Sequence, residues 1–271
     1  MKFSATVTLQ YDTIFSSFSH EDWLKGLDWM KENGLDGAEL CISNYNGLDI
    51  AKVKAELDKR GLGCSTLSTG QARALEGLSL IGVPADVRER TQKRFKEHID
   101  AAQILGSKVT IGLMRGLGTQ ETAEADLKEL SEAMKPLIEY ADQKGVTLLL
   151  EAINRYETAL LNSAEATLAF IKDGLGNPGC VRILWDLFHA NIEDIRFSRS
   201  IRCMGEKLGH VHIADSNRMF PGYGHTDFAA VLKDVKESGF SDYCSFECLN
   251  LPSLETVLGE TGAWVSRMRA L

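Results

Sequence analysis

The sequence predicts an α/β protein, a single closed (β/α)8 barrel over residues 1–271, on three observations. Short apolar runs alternate with longer amphipathic ones along the whole chain, the apolar runs number eight, and no Pro- or Ser-rich linker interrupts them. A length of 271 residues suits one such barrel, for which about 250 is usual. An open doubly wound sheet shares the alternation, but eight units with reactive groups spread over successive strand ends favour closure.

The first strand is read over 3–9, where Phe3, Ala5 and Val7 alternate with Ser and Thr. The same stretch lacks the unbroken apolar run of a signal peptide. The second and third strands, 36–41 and 62–68, follow Gly34 and Gly61, which would end the preceding helices. A helix over 86–105 places Val87, Phe95, Ile99, Ala102 and Leu105 on one face, with Arg88, Glu89, Lys93 and Lys96 elsewhere. Gly106 then leads into the fourth strand, 107–113. The next helix, 121–144, carries Leu127, Leu130, Met134, Leu137, Ile138 and Ala141 at helical spacing. Pro136 in its interior is expected to remove a hydrogen bond and kink it. Gly145 precedes the fifth strand, 146–151. The sixth and seventh are read over 181–186 and 208–213, and Gly239 precedes the eighth, 243–248. Trp264, Val265 and Met268 form one helix face packed on the barrel, with a homo-oligomer contact there as the alternative.

Composition narrows the function. Hydrophobic residues at 44% and charged residues at 25% provide a large core and exclude disorder. The net charge of −8, with 30 Lys and Arg scattered among 38 acids, leaves no basic face for nucleic acid. No run approaches the roughly 20 apolar residues of a membrane span, so the cytoplasm is the expected location. The six cysteines form no CxxC pair and are read as reduced and mostly buried.

Four potential metal ligands end the fifth to eighth strands: Glu151, Asp186, His212 and Glu247. Their spacings of 35, 26 and 35 residues are each about one βα unit, so a closed parallel barrel brings them to neighbouring places around one mouth. Taken singly, an acid at a strand end is more often a helix cap. Four in succession at one face would cluster three acids, which is electrostatically costly without a cation. Three carboxylates with one imidazole suit one divalent ion, Mn²⁺ by expectation, with Mg²⁺ or Co²⁺ as alternatives. Such an ion polarises a sugar carbonyl and stabilises an enediolate. Glu151 and Glu247 could then exchange a carbon-bound proton from two sides. His210 shares the parity of His212 but lies deeper, as a hydrogen-bonded core residue. Cys248 should face away from Glu247, and Pro221-Gly222-Tyr223-Gly224 reads as a turn covering the substrate.

The flanking text adds Asn154-Arg155-Tyr156-Glu157 after Glu151, Leu187-Phe188-His189-Ala190-Asn191 after Asp186, Asp215-Ser216-Asn217-Arg218 after His212, and then Pro221 to Phe228. Together these segments resemble the ketose 3-epimerases of the tagatose and psicose type, within the xylose-isomerase-like TIM-barrel superfamily. The likeness covers the C-terminal half in order. The N-terminal half fits only the general layout, with Asp36-Gly37-Ala38-Glu39-Leu40 similar to its second strand. The resemblance implies a manganese-type site at Glu151, Asp186, His212 and Glu247, with Glu151 and Glu247 as the acid/base pair. It also implies that Glu157, His189 and Arg218 hold the carbonyl-end oxygens of the substrate. Ser68 to Ala72 and Ile111 to Gly116 are similar to a branch that includes keto-aldonate epimerases. There Arg115 is expected to pair with a sugar-acid carboxylate and Gln71 to read a hydroxyl. The expected substrate is a small keto sugar or sugar acid. An aldose–ketose or hydroxypyruvate-type isomerase is the alternative, with an abasic-site endonuclease more remote.

Overall fold

In the computed structural model, which describes residues 1–271, eight parallel strands close into a barrel in sequence order. They are β1 Lys2–Thr8, β2 Gly37–Cys41, β3 Gly63–Ser68, β4 Val109–Ile111, β5 Leu148–Ala152, β6 Val181–Asp186, β7 Leu208–Ile213 and β8 Tyr243–Phe246. The seam between the first and last strands runs in register from Lys2 opposite Tyr243 to Ala5 opposite Phe246. The helices are α1 Trp23–Glu32, α2 Ile50–Arg60, α3 Gly70–Glu76, α4 Ala85–Leu105 and α5 Ala123–Lys144, then α6 Ala164–Ala169, α7 Leu187–Glu193, α8 Phe197–Met204, α9 Phe228–Glu237 and α10 Leu254–Arg269. No helix is long and apolar enough to cross a membrane.

The expected punctuation is present. Gly61, Gly106 and Gly145 end α2, α4 and α5 in the left-handed conformation, at φ of 69°, 64° and 65°. A side chain there would be strained, so each glycine sets where the chain turns back into a strand. The helix containing Pro136 runs unbroken from Ala123 to Lys144, with Leu130, Met134, Leu137 and Ala141 buried against the barrel. One expectation changes. The fourth strand is only three residues long, since Leu113–Arg115 turn into a short 3-10 helix after Gly112.

Packing fixes the two ends of the barrel differently. Trp264 on α10 meets Phe3, Phe228 and Phe246 edge-on at 5.9, 5.6 and 5.2 Å and so pins α9 and α10 over the β1–β8 seam. At the N-terminal ends of the strands, Lys108 crosses the barrel to the Gly209 carbonyl at 2.9 Å and to the Asp242 carboxylate. The opposite end, where the strands finish, stays open.

Candidate active site

A cavity of about 370 Å³ lies in that open end, lined by residues that include Glu151, Glu157, His189, His212, Arg218 and Glu247. A larger groove of about 510 Å³ runs between the outer faces of α4 and α5, but it contains none of the groups predicted to react. Chemistry therefore belongs to the strand ends.

Register explains the cluster at the floor. Asp186 is the last residue of β6 and sits opposite His212 on β7, while Glu151 is in β5 and Glu247 directly follows β8. One ligand atom from each of the four lies within 4.8 Å of the others. Asp186 divides its oxygens between two tasks. Its Oδ1 caps α7, accepting from the backbone N–H of Phe188 at 2.7 Å and of His189 at 3.4 Å, whereas its buried Oδ2 has no hydrogen-bond partner. His212 Nδ1 is also buried and unpartnered, 3.7 Å from that Oδ2 and 3.2 Å from Glu247 Oε2. Bare acceptors gathered around a buried nitrogen are what a divalent cation would satisfy, and the oxygen and imidazole donors suit a hard or borderline ion. The four residues fit such an ion.

The side chains alone polarise the floor unevenly. Burial, followed by the charge of Glu247, pushes the Glu151 carboxyl up to about 8. Burial acts the same way on Asp186, yet the His189 and His212 rings beside it hold its carboxyl well below the usual carboxylate range. Gly112 permits the arrangement, because a Cβ there would come within 2.5 Å of Glu151 Oε2.

One wall is built around Asn154. Its Oδ1 accepts from the Tyr156 backbone N–H at 2.9 Å, which turns its Nδ2 toward Glu157 Oε1 at 3.2 Å and His189 Nδ1 at 2.7 Å. With Nδ1 accepting, the ring proton of His189 resides on Nε2, which faces the floor 4.0 Å from Glu151 Oε1. Arg218 donates to Glu157 Oε1 at 3.0 Å, and its guanidinium lies between the rings of Phe15 and Phe188 at 4.7 and 4.8 Å. It adopts a φ of 65°, an uncommon conformation for a residue with a side chain. Glu157, His189 and Arg218 are thus brought together above the floor.

Gln71, at the start of α3, reaches the cavity as well. Its Nε2 donates to Thr8 Oγ1 at 3.1 Å and to the Tyr11 carbonyl at 2.5 Å, leaving a buried Oε1 without a partner. Arg115 is not brought to the cavity. Its side chain is fully buried behind the wall and donates to the carbonyls of Glu151 at 2.8 Å and Leu160 at 2.9 Å. The 3-10 turn holds it inward between β4 and β5, away from the cavity lining. Pro221 to Gly224 do not line the cavity either. That turn wraps the buried Asp215, whose carboxylate accepts from the backbone N–H groups of Ser216, Gly222 and Thr226.

Sequence reasoning passed over Phe15 and Phe188, which clamp Arg218, and Asn154, which aims His189. It also passed over Glu39, fully buried on β2 with an oxygen 3.1 Å from His212 Nε2. His210 is a buried, hydrogen-bonded residue as expected, 3.3 Å from Glu39 Oε2. The signal for Glu39 was a lone charge inside a strand whose other residues are apolar.

Comparison with known proteins gives the family. The sequence family described as the xylose isomerase-like TIM barrel matches residues 27–268. An L-ribulose 3-epimerase from Mesorhizobium japonicum is 32% identical over 256 residues, which cover 87% of this chain and 84% of that protein. A 3-dehydro-D-guloside 4-epimerase from Escherichia coli is 27% identical over 253 residues, covering 85% of this chain and 88% of that protein. Among solved structures, an E. coli 3-keto-D-glucoside 4-epimerase superposes over all of both chains with a TM-score of 0.81 at 22% identity, a likeness of fold.

Proposed function

The chain belongs to the xylose isomerase-like TIM-barrel family, and from that premise we propose that it inverts a carbon beside the keto group of an uncharged keto sugar. That it is a carbohydrate epimerase or isomerase follows from its relatives, named for 3- and 4-epimerisation. The whole chain, residues 1–271, acts as one catalytic unit in this reading. The observation that carries it is the bare pair Asp186 Oδ2 and His212 Nδ1, buried between the two glutamates that would move the proton.

Glu151, Asp186, His212 and Glu247 would hold one divalent ion, and Mn²⁺ suits three carboxylates and an imidazole. When bound, the ion supplies a Lewis acid at the carbonyl oxygen. The remaining work belongs to side chains. His189 Nε2–H and the Arg218 guanidinium donate to the oxygens that gain charge as the neighbouring carbon loses its proton, giving an enediolate. Glu157, held by Asn154 and Arg218, accepts from a substrate hydroxyl. One of Glu151 and Glu247 removes the proton, and the other delivers one to the opposite face. Gln71 Oε1 accepts from a hydroxyl toward the outer end of the sugar.

Charge selects the substrate class. Arg218 is the one Lys or Arg in the cavity lining, and it is already engaged by Glu157, while Asp12, Glu151, Glu157 and Glu247 are acids. Beyond the divalent ion the lining offers a carboxylate or phosphate no unpaired Lys or Arg, so a neutral ketose fits better than a keto-aldonate and nucleic acid fits poorly. Glu247→Gln is expected to lower turnover by about 10²–10⁴-fold, the share of a positioned acid or base. Wild-type rates in that variant, measured with neutral ketoses by product analysis, would remove Glu247 from the mechanism.

A further inference from the structure

Glu39 lies below the floor of the cavity, away from any substrate, and its carboxylate collects three donors. Ser68 Oγ donates to Oε1, His210 Nε2 lies 3.3 Å from Oε2, and His212 Nε2 lies 3.1 Å from both oxygens. A carboxylate has about four acceptor positions and no proton to give when ionised, so three donors nearly fill it. The four residues come from three strands, β2, β3 and β7, and meet only because the barrel closes.

The consequence falls on His212. An imidazole pressed by one nitrogen against a carboxylate keeps its proton on that nitrogen and leaves a lone pair on the other. The Nε2 of His212 faces Glu39, so the lone pair is on Nδ1, the atom that stands bare 3.2 Å from Glu247 and 3.7 Å from Asp186. We propose that Glu39 is a positioning residue that fixes the Nε2–H form of His212 and so presents Nδ1 to the divalent cation. This rests on the metal reading given above. A buried acid on β2 thereby sets the strength of a site whose other members are all on β5 to β8. His210 shares the same carboxylate and leaves its own Nδ1 unpartnered, so it braces Glu39 rather than joining the site.

The test is the affinity of the chelator-treated protein for Mn²⁺, measured by calorimetry or by the electron spin resonance of the free ion, in wild type and in Glu39→Gln. Removing an outer carboxylate behind a ligating imidazole ordinarily weakens metal binding by about 10- to 100-fold. That loss is expected here with thermal melting of the ion-free protein close to wild type. An unchanged affinity in the folded variant overturns the role of Glu39 while leaving the metal site standing, whereas a wild type that binds no divalent ion overturns both. Should Glu39→Gln fail to fold, ¹⁵N NMR of the histidines in the Mg²⁺-loaded wild type decides. A His212 proton on Nε2 supports the proposal, and one on Nδ1 contradicts it.

Discussion

Gly112 has a φ of −93° with a ψ of −131°, a pair that residues with a side chain rarely adopt, so its missing side chain answers to the backbone as well as to a neighbour. That neighbour is Glu151, whose Oε2 occupies the space a Cβ would take. Gly112→Ala should push the carboxylate aside, since the tip of a glutamate can move, and cost about 1–3 kcal/mol of stability in backbone strain. A shift of about 1 Å in a reacting group costs on the order of 10²-fold in kcat. Steady-state kinetics beside a melting curve checks this, and an unaltered kcat would mean that Glu151 does not act from its observed position. The four clustered side chains were readable in the sequence because strand-end position alone brings them to one mouth. Arg115 was not, since its direction depends on a three-residue turn that no periodicity marks. Gln71 was half readable: its place after the third strand was evident, while the Tyr11 and Thr8 contacts that orient its amide came from another loop.

At the scale of elements, α4 does more than cover the barrel. His98 on its inner face is fully buried and lies 2.7 Å from Tyr45 Oη in the β2–α2 connection, with its Nε2 unpartnered. Burial, with a smaller contribution from the Arg94 charge, pushes its pKa down to about 3. The native state therefore refuses a proton that the unfolded chain takes near 6.5, so stability falls as pH drops from about 6.5 toward 3. Between pH 7 and pH 5 this amounts to about 2 kcal/mol. Urea melts at those two pH values should show His98→Gln losing about that much less stability than wild type, and equal losses would refute the assignment. Helices were the most legible elements, because Gly61, Gly106 and Gly145 marked their ends. Pro136 did not break its helix, whose surrounding apolar face is buried on the barrel. The fourth strand read too long because Ser107 and Lys108 precede the ladder and apolar Leu113 belongs to the following turn.

For the whole molecule, eight β-like runs were enough to predict closure, and closure was enough to predict one site at the open end. The count could not show how the first half of the chain contributes to that site. Phe15, Gln71 and Glu39 come from β1 to α3, where the sequence resembled its relatives only in outline, and they clamp Arg218, line the outer cavity and brace His212. The molecule carries its acids inward at the strand ends and leaves its one cavity guanidinium paired, which is the basis for proposing a neutral sugar. The most direct measurement is turnover of the Mn²⁺-supplemented protein on neutral ketoses and keto-aldonates in D₂O, with products followed by NMR. The account predicts inversion beside the keto group of a neutral ketose, with deuterium entering at the inverted carbon. Aldose formation, inversion without deuterium, or a preference for the keto-aldonates would contradict it.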